Sequence, residues 1–110
     1  MANDSEVFIP DQVQPAAPAA PASAQAPAEI EALIQKHAAR TGVDAKFLRR
    51  QLETENGFKP TGTSSKGAQG IAQIMPATAK ALGVDTSNVD QSIGAMADMD
   101  AEALRKHNGD

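Results

Sequence analysis

Glu55-Asn56-Gly57-Phe58-Lys59-Pro60, followed after four residues by Ser65-Lys66-Gly67-Ala68-Gln69-Gly70-Ile71-Ala72-Gln73-Ile74-Met75-Pro76-Ala77-Thr78-Ala79, is the stretch that decides the reading of this chain. It sets one carboxylate at the end of a helix, then a glycine-punctuated loop, then an amide and a thioether at the entry of a second helix. Gly57 stands where a helix-ending glycine belongs. The run from Thr61 to Ser65 has no apolar period, and Gly67 and Gly70 bracket a tight turn. Pro76 fits the first position of a helix that Gly83 closes after Ala81 and Leu82. Met75, ahead of that proline, is pushed out of the α region.

Working outward, Ile30, Leu33, Ile34, His37 and Ala38 recur at helical spacing, so a helix is expected over about residues 28–40. Glu29 and Glu31 fall in its first turn, where carboxylates favour the dipole, and Gly42 ends it. Asp44 is the expected N-cap of a second helix over 45–56. The alanine- and methionine-rich segment from Val89 to about Lys106 reads as a last helix, and Asp85 and Asp90 before or at its start read as capping residues. No alternating strand pattern occurs, so the expected class is all-α.

The first 28 residues differ in kind, with five of the seven prolines interleaved with alanine. Such a segment cannot hold a helical hydrogen-bond ladder, and residues 1–28 are expected to form a disordered, semi-rigid tether. Residues 29–110 then make one small domain with no cysteine to staple it. The net charge of −4 is spread along the chain, which argues against a nucleic-acid partner. No apolar run is long enough for a transmembrane segment. The acidic N-terminus, Met1 to Glu6, has neither the basic start nor the apolar stretch of a secretory signal peptide.

Helix geometry separates two neighbouring glutamates. At about 100° per residue, Leu48, Leu52 and Glu55 share a sector about 60° wide, while Glu53 points almost opposite. Glu53 therefore joins Arg49 and Arg50 on the wet face. Glu55 prolongs the apolar stripe, where partial desolvation would favour the protonated form that a general acid needs. The plain alternative for Glu55 is a frayed terminal acid turned to solvent.

The quoted residues resemble the catalytic core of the soluble lytic transglycosylases, over about Ile30 to Val84. The resemblance implies a lysozyme-like helical domain and identifies Glu55 with the catalytic glutamate that ends a helix before a Gly/aromatic/Pro stretch, here Gly57, Phe58 and Pro60. It implies that the acid protonates the bond between N-acetylmuramic acid and N-acetylglucosamine. The resulting carboxylate then takes a proton from the muramic C6 hydroxyl, giving a 1,6-anhydro product. Gln73 and Met75 match the family's Gly-Leu-Met-Gln-x-Met-Pro segment and are expected to face substrate, with Asn56 and Phe58 completing the binding set. The implied partner is the glycan strand of peptidoglycan, and no metal or cofactor is required.

Three departures set further expectations. Asn56 stands in place of the family's serine and is expected to orient the carboxylate. Ala72 replaces a methionine and is expected to trim the groove. The chain has no tyrosine or tryptophan and ends before the family's tyrosine-bearing segment, so the domain is expected to be a fragment whose partner is the remainder of a longer polypeptide. The missing export signal and the tether suggest a virion-associated phage protein that is delivered to the periplasm, acts during genome entry and contacts other virion proteins. A secretion-system muramidase, a hydrolase yielding reducing ends, and a non-catalytic peptidoglycan-binding or structural segment are the alternatives. His37 reads as a half-buried packing residue and His107 as a helix-terminal cation, and two isolated histidines make no metal site.

Overall fold

The computed structural model describes residues 26–109, so most of the expected tether over 1–28 lies outside the described residues. Four helices follow in order: α1 (Ala28–Thr41), α2 (Ala45–Asn56), α3 (Pro76–Leu82) and α4 (Val89–Gly109). Among the described residues there is no strand. The long loop from 57 to 75 carries only two isolated antiparallel bridges, Thr63 with Gln69 and Gln69 with Ile74. The all-α expectation is met. Its local signals act as read: Asp44 accepts from Lys46 N at 2.9 Å, and Gly42, Gly57 and Gly83 end the first three helices.

The core forms where apolar faces of separate elements meet. Ile34 of α1, Leu48 and Leu52 of α2, Ile71 of the loop and Ile93 of α4 are fully buried. Each such side chain contributes about 1.5–3 kcal/mol relative to exposure. α1 is the central element, packing on both α2 and α4. Because Ile71, Ala72 and Ile74 are buried as well, the loop is anchored in the core. Ala72 therefore fills the interior and does not border a groove, which corrects its expected role.

Two polar ties fix α1 to its neighbours. On one side Arg49 grips Glu31 with both ends of its fork, Nε to Oε1 at 2.8 Å and Nη2 to Oε2 at 2.5 Å. This holds the Glu31 carboxyl down to about 2, mainly through the Arg49 hydrogen bond. On the other side Asp90 accepts from Lys36 Nζ at 2.9 Å and lies 2.6 Å from His37 Nε2. Arg40 Nε donates to His37 Nδ1 at 3.1 Å, which leaves Nε2–H to donate to Asp90.

The cap expected at Asp90 is corrected by this arrangement. Asn88 caps α4, its Oδ1 accepting from Gln91 N at 2.9 Å, and Asp90 faces α1. Asp85 caps the preceding turn by accepting from Ser87 N at 2.9 Å. His37 is 6% exposed, more buried than expected, and it lies against Gly94, where an added Cβ would come within 2.9 Å of its Cε1.

The Glu31–Arg49 tie predicts a pH dependence. The folded carboxyl titrates below its ordinary value, so its contribution is present above about 4.5 and is lost as pH falls toward about 2. With the side chains 32% and 29% exposed, the contribution is on the order of 1 kcal/mol. Thermal unfolding of Glu31→Gln should show a lower Tm than the parent at pH 7, with the difference shrinking between pH 4.5 and 2.

Candidate active site

The end of α2 and the loop after it are joined by two side-chain amides. Asn56 Nδ2 donates to the carbonyls of Thr61 at 2.9 Å and Lys59 at 3.2 Å, and reaches that of Gly70 at 3.4 Å. Gln73 Nε2 donates to the Gly70 carbonyl at 2.8 Å and to Gly62 at 3.3 Å. The Gly70 carbonyl accepts from Gln73 Nε2 and from Gln73 N at 3.1 Å, and the Asn56 amide, with its two N–H groups on Thr61 and Lys59, lies against the same oxygen. Residues separated by 17 positions are brought to one point, with Glu55 next to it on α2.

Backbone strain concentrates here. Phe58 (φ 65°) and Gln73 (φ 51°) are the non-glycine residues with positive φ among the described residues. Side chains avoid this region, and it persists only where surroundings over-determine it. For Phe58 the anchor is burial, and for Gln73 it is the pair of carbonyls its amide holds. Gly70 (φ 77°) is also fixed by space, since a Cβ there would run into the carbonyl oxygen of Thr86. Thr86 Oγ1 donates to Gln69 Oε1 at 3.0 Å, a link between the loop and the segment before α4 that the sequence reading did not identify.

The expected site residues fare differently. Glu55 is exposed, because α2 ends one residue later and its stripe runs past the elements that cover Leu48 and Leu52. The desolvation expected for it is not supplied by the chain itself, and Glu53 is the more buried of the two glutamates. Phe58, expected to meet substrate, is 6% exposed and belongs to the core. Asn56 spends its NH2 on loop carbonyls and does not orient Glu55, and Gln73 spends its own likewise. Met75, 44% exposed, offers an apolar surface at the entry of α3.

Two clefts flank these elements. A shallow one of about 220 Å³ is lined by Pro60, Thr61, Gly62, Gln69, Thr86 and Ser87, and it adjoins the end of α2 through the Asn56 hydrogen bonds. The larger, of about 530 Å³, lies along α1 and α4 and includes Lys36, Leu82, Asp90 and Met99, and Glu55 lines neither cleft. Its charges satisfy one another, with Lys36 on Asp90 and Arg40 on Asp98 at 2.9 Å each. These four charges are thus taken up by one another, and the smaller cleft, which adjoins the strained loop and the end of α2, is the better candidate.

Comparison with known proteins matches residues 32–100 to the family described as Transglycosylase SLT domain. The chain is 37% identical over 92 residues to the peptidoglycan transglycosylase gp16 of Escherichia phage T7, covering 76% of this chain and 7% of that protein. It is 44% identical over 46 residues to a transglycosylase of Enterobacteria phage PRD1, covering 42% of this chain and 17% of that one. The chain thus spans a small part of the length of either relative. No solved structure gives a match.

The shared carbonyl predicts coupling between Asn56 and Gln73. Asn56→Ala and Gln73→Ala should each cost about 1 kcal/mol in denaturant unfolding, and the double variant should cost less than their sum by at least about 0.5 kcal/mol. Amide exchange in residues 59–70 should rise in both single variants.

Proposed function

Because the chain belongs to the Transglycosylase SLT domain family, we propose that it is the catalytic segment of a peptidoglycan lytic transglycosylase, with Glu55 as its acid and base. The observation that carries this reading is the meeting of Asn56 and Gln73 on the Gly70 carbonyl, which sets the end of α2 beside the loop and the entry of α3. A carboxylate there is accessible to a polymer, as a chain-like substrate requires. A glycan strand lying over it displaces water and favours the protonated acid.

In the proposed reaction Glu55 gives its proton to the oxygen between N-acetylmuramic acid and N-acetylglucosamine, and that bond breaks. The substrate's acetamido group stabilises the anomeric centre. The Glu55 carboxylate then removes the C6 hydroxyl proton as that oxygen bonds to the anomeric carbon, restoring the acid. The product is a 1,6-anhydro ring, and no water is consumed. Met75 supplies an apolar wall for a sugar face. Asn56 and Gln73 hold the loop, and the carbonyl end of the Gln73 amide is the part left to meet a sugar hydroxyl.

The phage relatives support a role in opening the cell wall during genome entry, with a virion-associated protein delivered to the periplasm. Other virion proteins and the remainder of a longer polypeptide are the proposed partners. No helix among the described residues is long and apolar enough to cross a membrane.

Purified peptidoglycan incubated with this chain, or with Glu55→Gln, tests the proposal by mass spectrometry of the soluble products. Anhydro-muropeptides from the unmodified chain alone are expected, with at least a 100-fold loss in the variant, on the order of the general-acid contribution. Reducing-end products would assign a hydrolase. Sedimentation with peptidoglycan without any release, from both proteins, would assign a binding segment.

A further inference from the structure

One partly buried acid has no part in the proposed reaction. Asp100 lies on the face of α4 that carries Ile93 and Ala97, both fully buried, and it reaches across to Gln51 of α2. Gln51 Nε2 donates to Asp100 Oδ1 at 3.0 Å. The two remaining oxygens, Gln51 Oε1 and Asp100 Oδ2, are both buried without a hydrogen-bond partner among the described residues. Two orphaned acceptors on an already bonded pair are costly, since each forgoes the hydrogen bonds it would make in water. One proton would satisfy both.

We propose that Asp100 carries a proton in the folded protein and donates it from Oδ2 to Gln51 Oε1, closing an acid–amide ring that latches α4 to α2. The amide then donates to the acid's carbonyl oxygen and accepts from its hydroxyl, so every polar atom of the pair is used. Among the described residues no cation pairs with the carboxyl, and Lys46 and Arg50 of α2 and Arg105 of α4 are exposed. From α1, Lys36 and His37 hold Asp90, and Arg40 holds Asp98. From α2, Arg49 is held by Glu31, and Glu55 one turn beyond Gln51 is exposed. Along α4, Glu102 pairs with Lys106, and His107 two turns on is exposed. Desolvation pushes the Asp100 carboxyl up, against the smaller opposing effect of the Gln51 hydrogen bond.

The sign of the resulting pH dependence is opposite to that of Glu31. Above the ordinary aspartate value of about 3.9, the unfolded chain has released a proton that the folded chain keeps. Stability supplied by the latch is complete at low pH and falls as pH rises through the folded value. Opening it removes the polar tie between α4 and α2, the helix that carries Glu55, which makes the latch a pH-sensitive link between the proposed site and the rest of the fold.

Carbon-13 NMR of the unmodified chain, following the Asp100 carboxyl through a pH titration, tests this directly. A midpoint above the ordinary aspartate range is expected, and a midpoint at or below it would overturn the proposal. Asp100→Asn provides the second arm, because an asparagine can form the same ring without titrating. Its Tm at pH 7 should exceed that of the parent, and the parent's loss of Tm above pH 4 that is due to this site should disappear. A lower Tm for Asp100→Asn than for the parent at pH 7 would show an ionised, differently satisfied carboxylate and would also overturn it.

Discussion

The carbonyl oxygen of Gly70 is the point on which the geometry of the proposed site depends. It accepts from Gln73 at the end of the loop and lies 3.4 Å from the Asn56 amide at the end of α2, so a carboxylate-bearing helix and an apolar helix entry meet at one point. Gly70 can take this place only as glycine, because its left-handed backbone lies against the carbonyl of Thr86. Through Thr86 and Gln69 the same region is tied to the segment before α4. Strain at Phe58 and Gln73 is held by these contacts and by the core, as expected where geometry serves a purpose beyond stability.

Behind that end, a small core works with few redundant parts. α1 occupies the centre and uses a different polar tie on each side, an arginine fork toward α2 and the Lys36–His37–Asp90 group toward α4. Among the described residues the polar tie between α2 and α4 is one amide and acid, Gln51 and Asp100. Surface ion pairs contribute little individually, so these ties matter chiefly for fixing how the helices meet.

Much of this was legible in the sequence because the signals are local. Asp44, Gly42, Gly57, Pro76 and Gly83 each act on the residues beside them, and helix boundaries followed from them. Side-chain fates that depend on distant partners were not legible. Asn56 and Gln73 read as substrate-facing polar residues, but their donors go to loop carbonyls that only the folded chain brings near. Phe58 read as a sugar platform, yet the left-handed turn at Gly57 and Phe58 delivers its ring to the core. Glu55 lies on the predicted stripe, but a stripe gives direction and not cover, and the helix stops before anything covers it. Asp90 read as a cap because nothing local revealed Lys36 and His37 more than 50 positions away.

The proposed functional surface is the end of α2 with its loop, and not the larger cleft along α1 and α4. Chemical-shift mapping by NMR, titrating a soluble peptidoglycan glycan fragment into the chain, tests that assignment most directly. Shifts centred on Glu55, Gln73, Met75 and residues 59–70 are the predicted result. Shifts confined to Lys36, Leu82, Asp90 and Met99 would contradict it and move the site to the other face of the molecule.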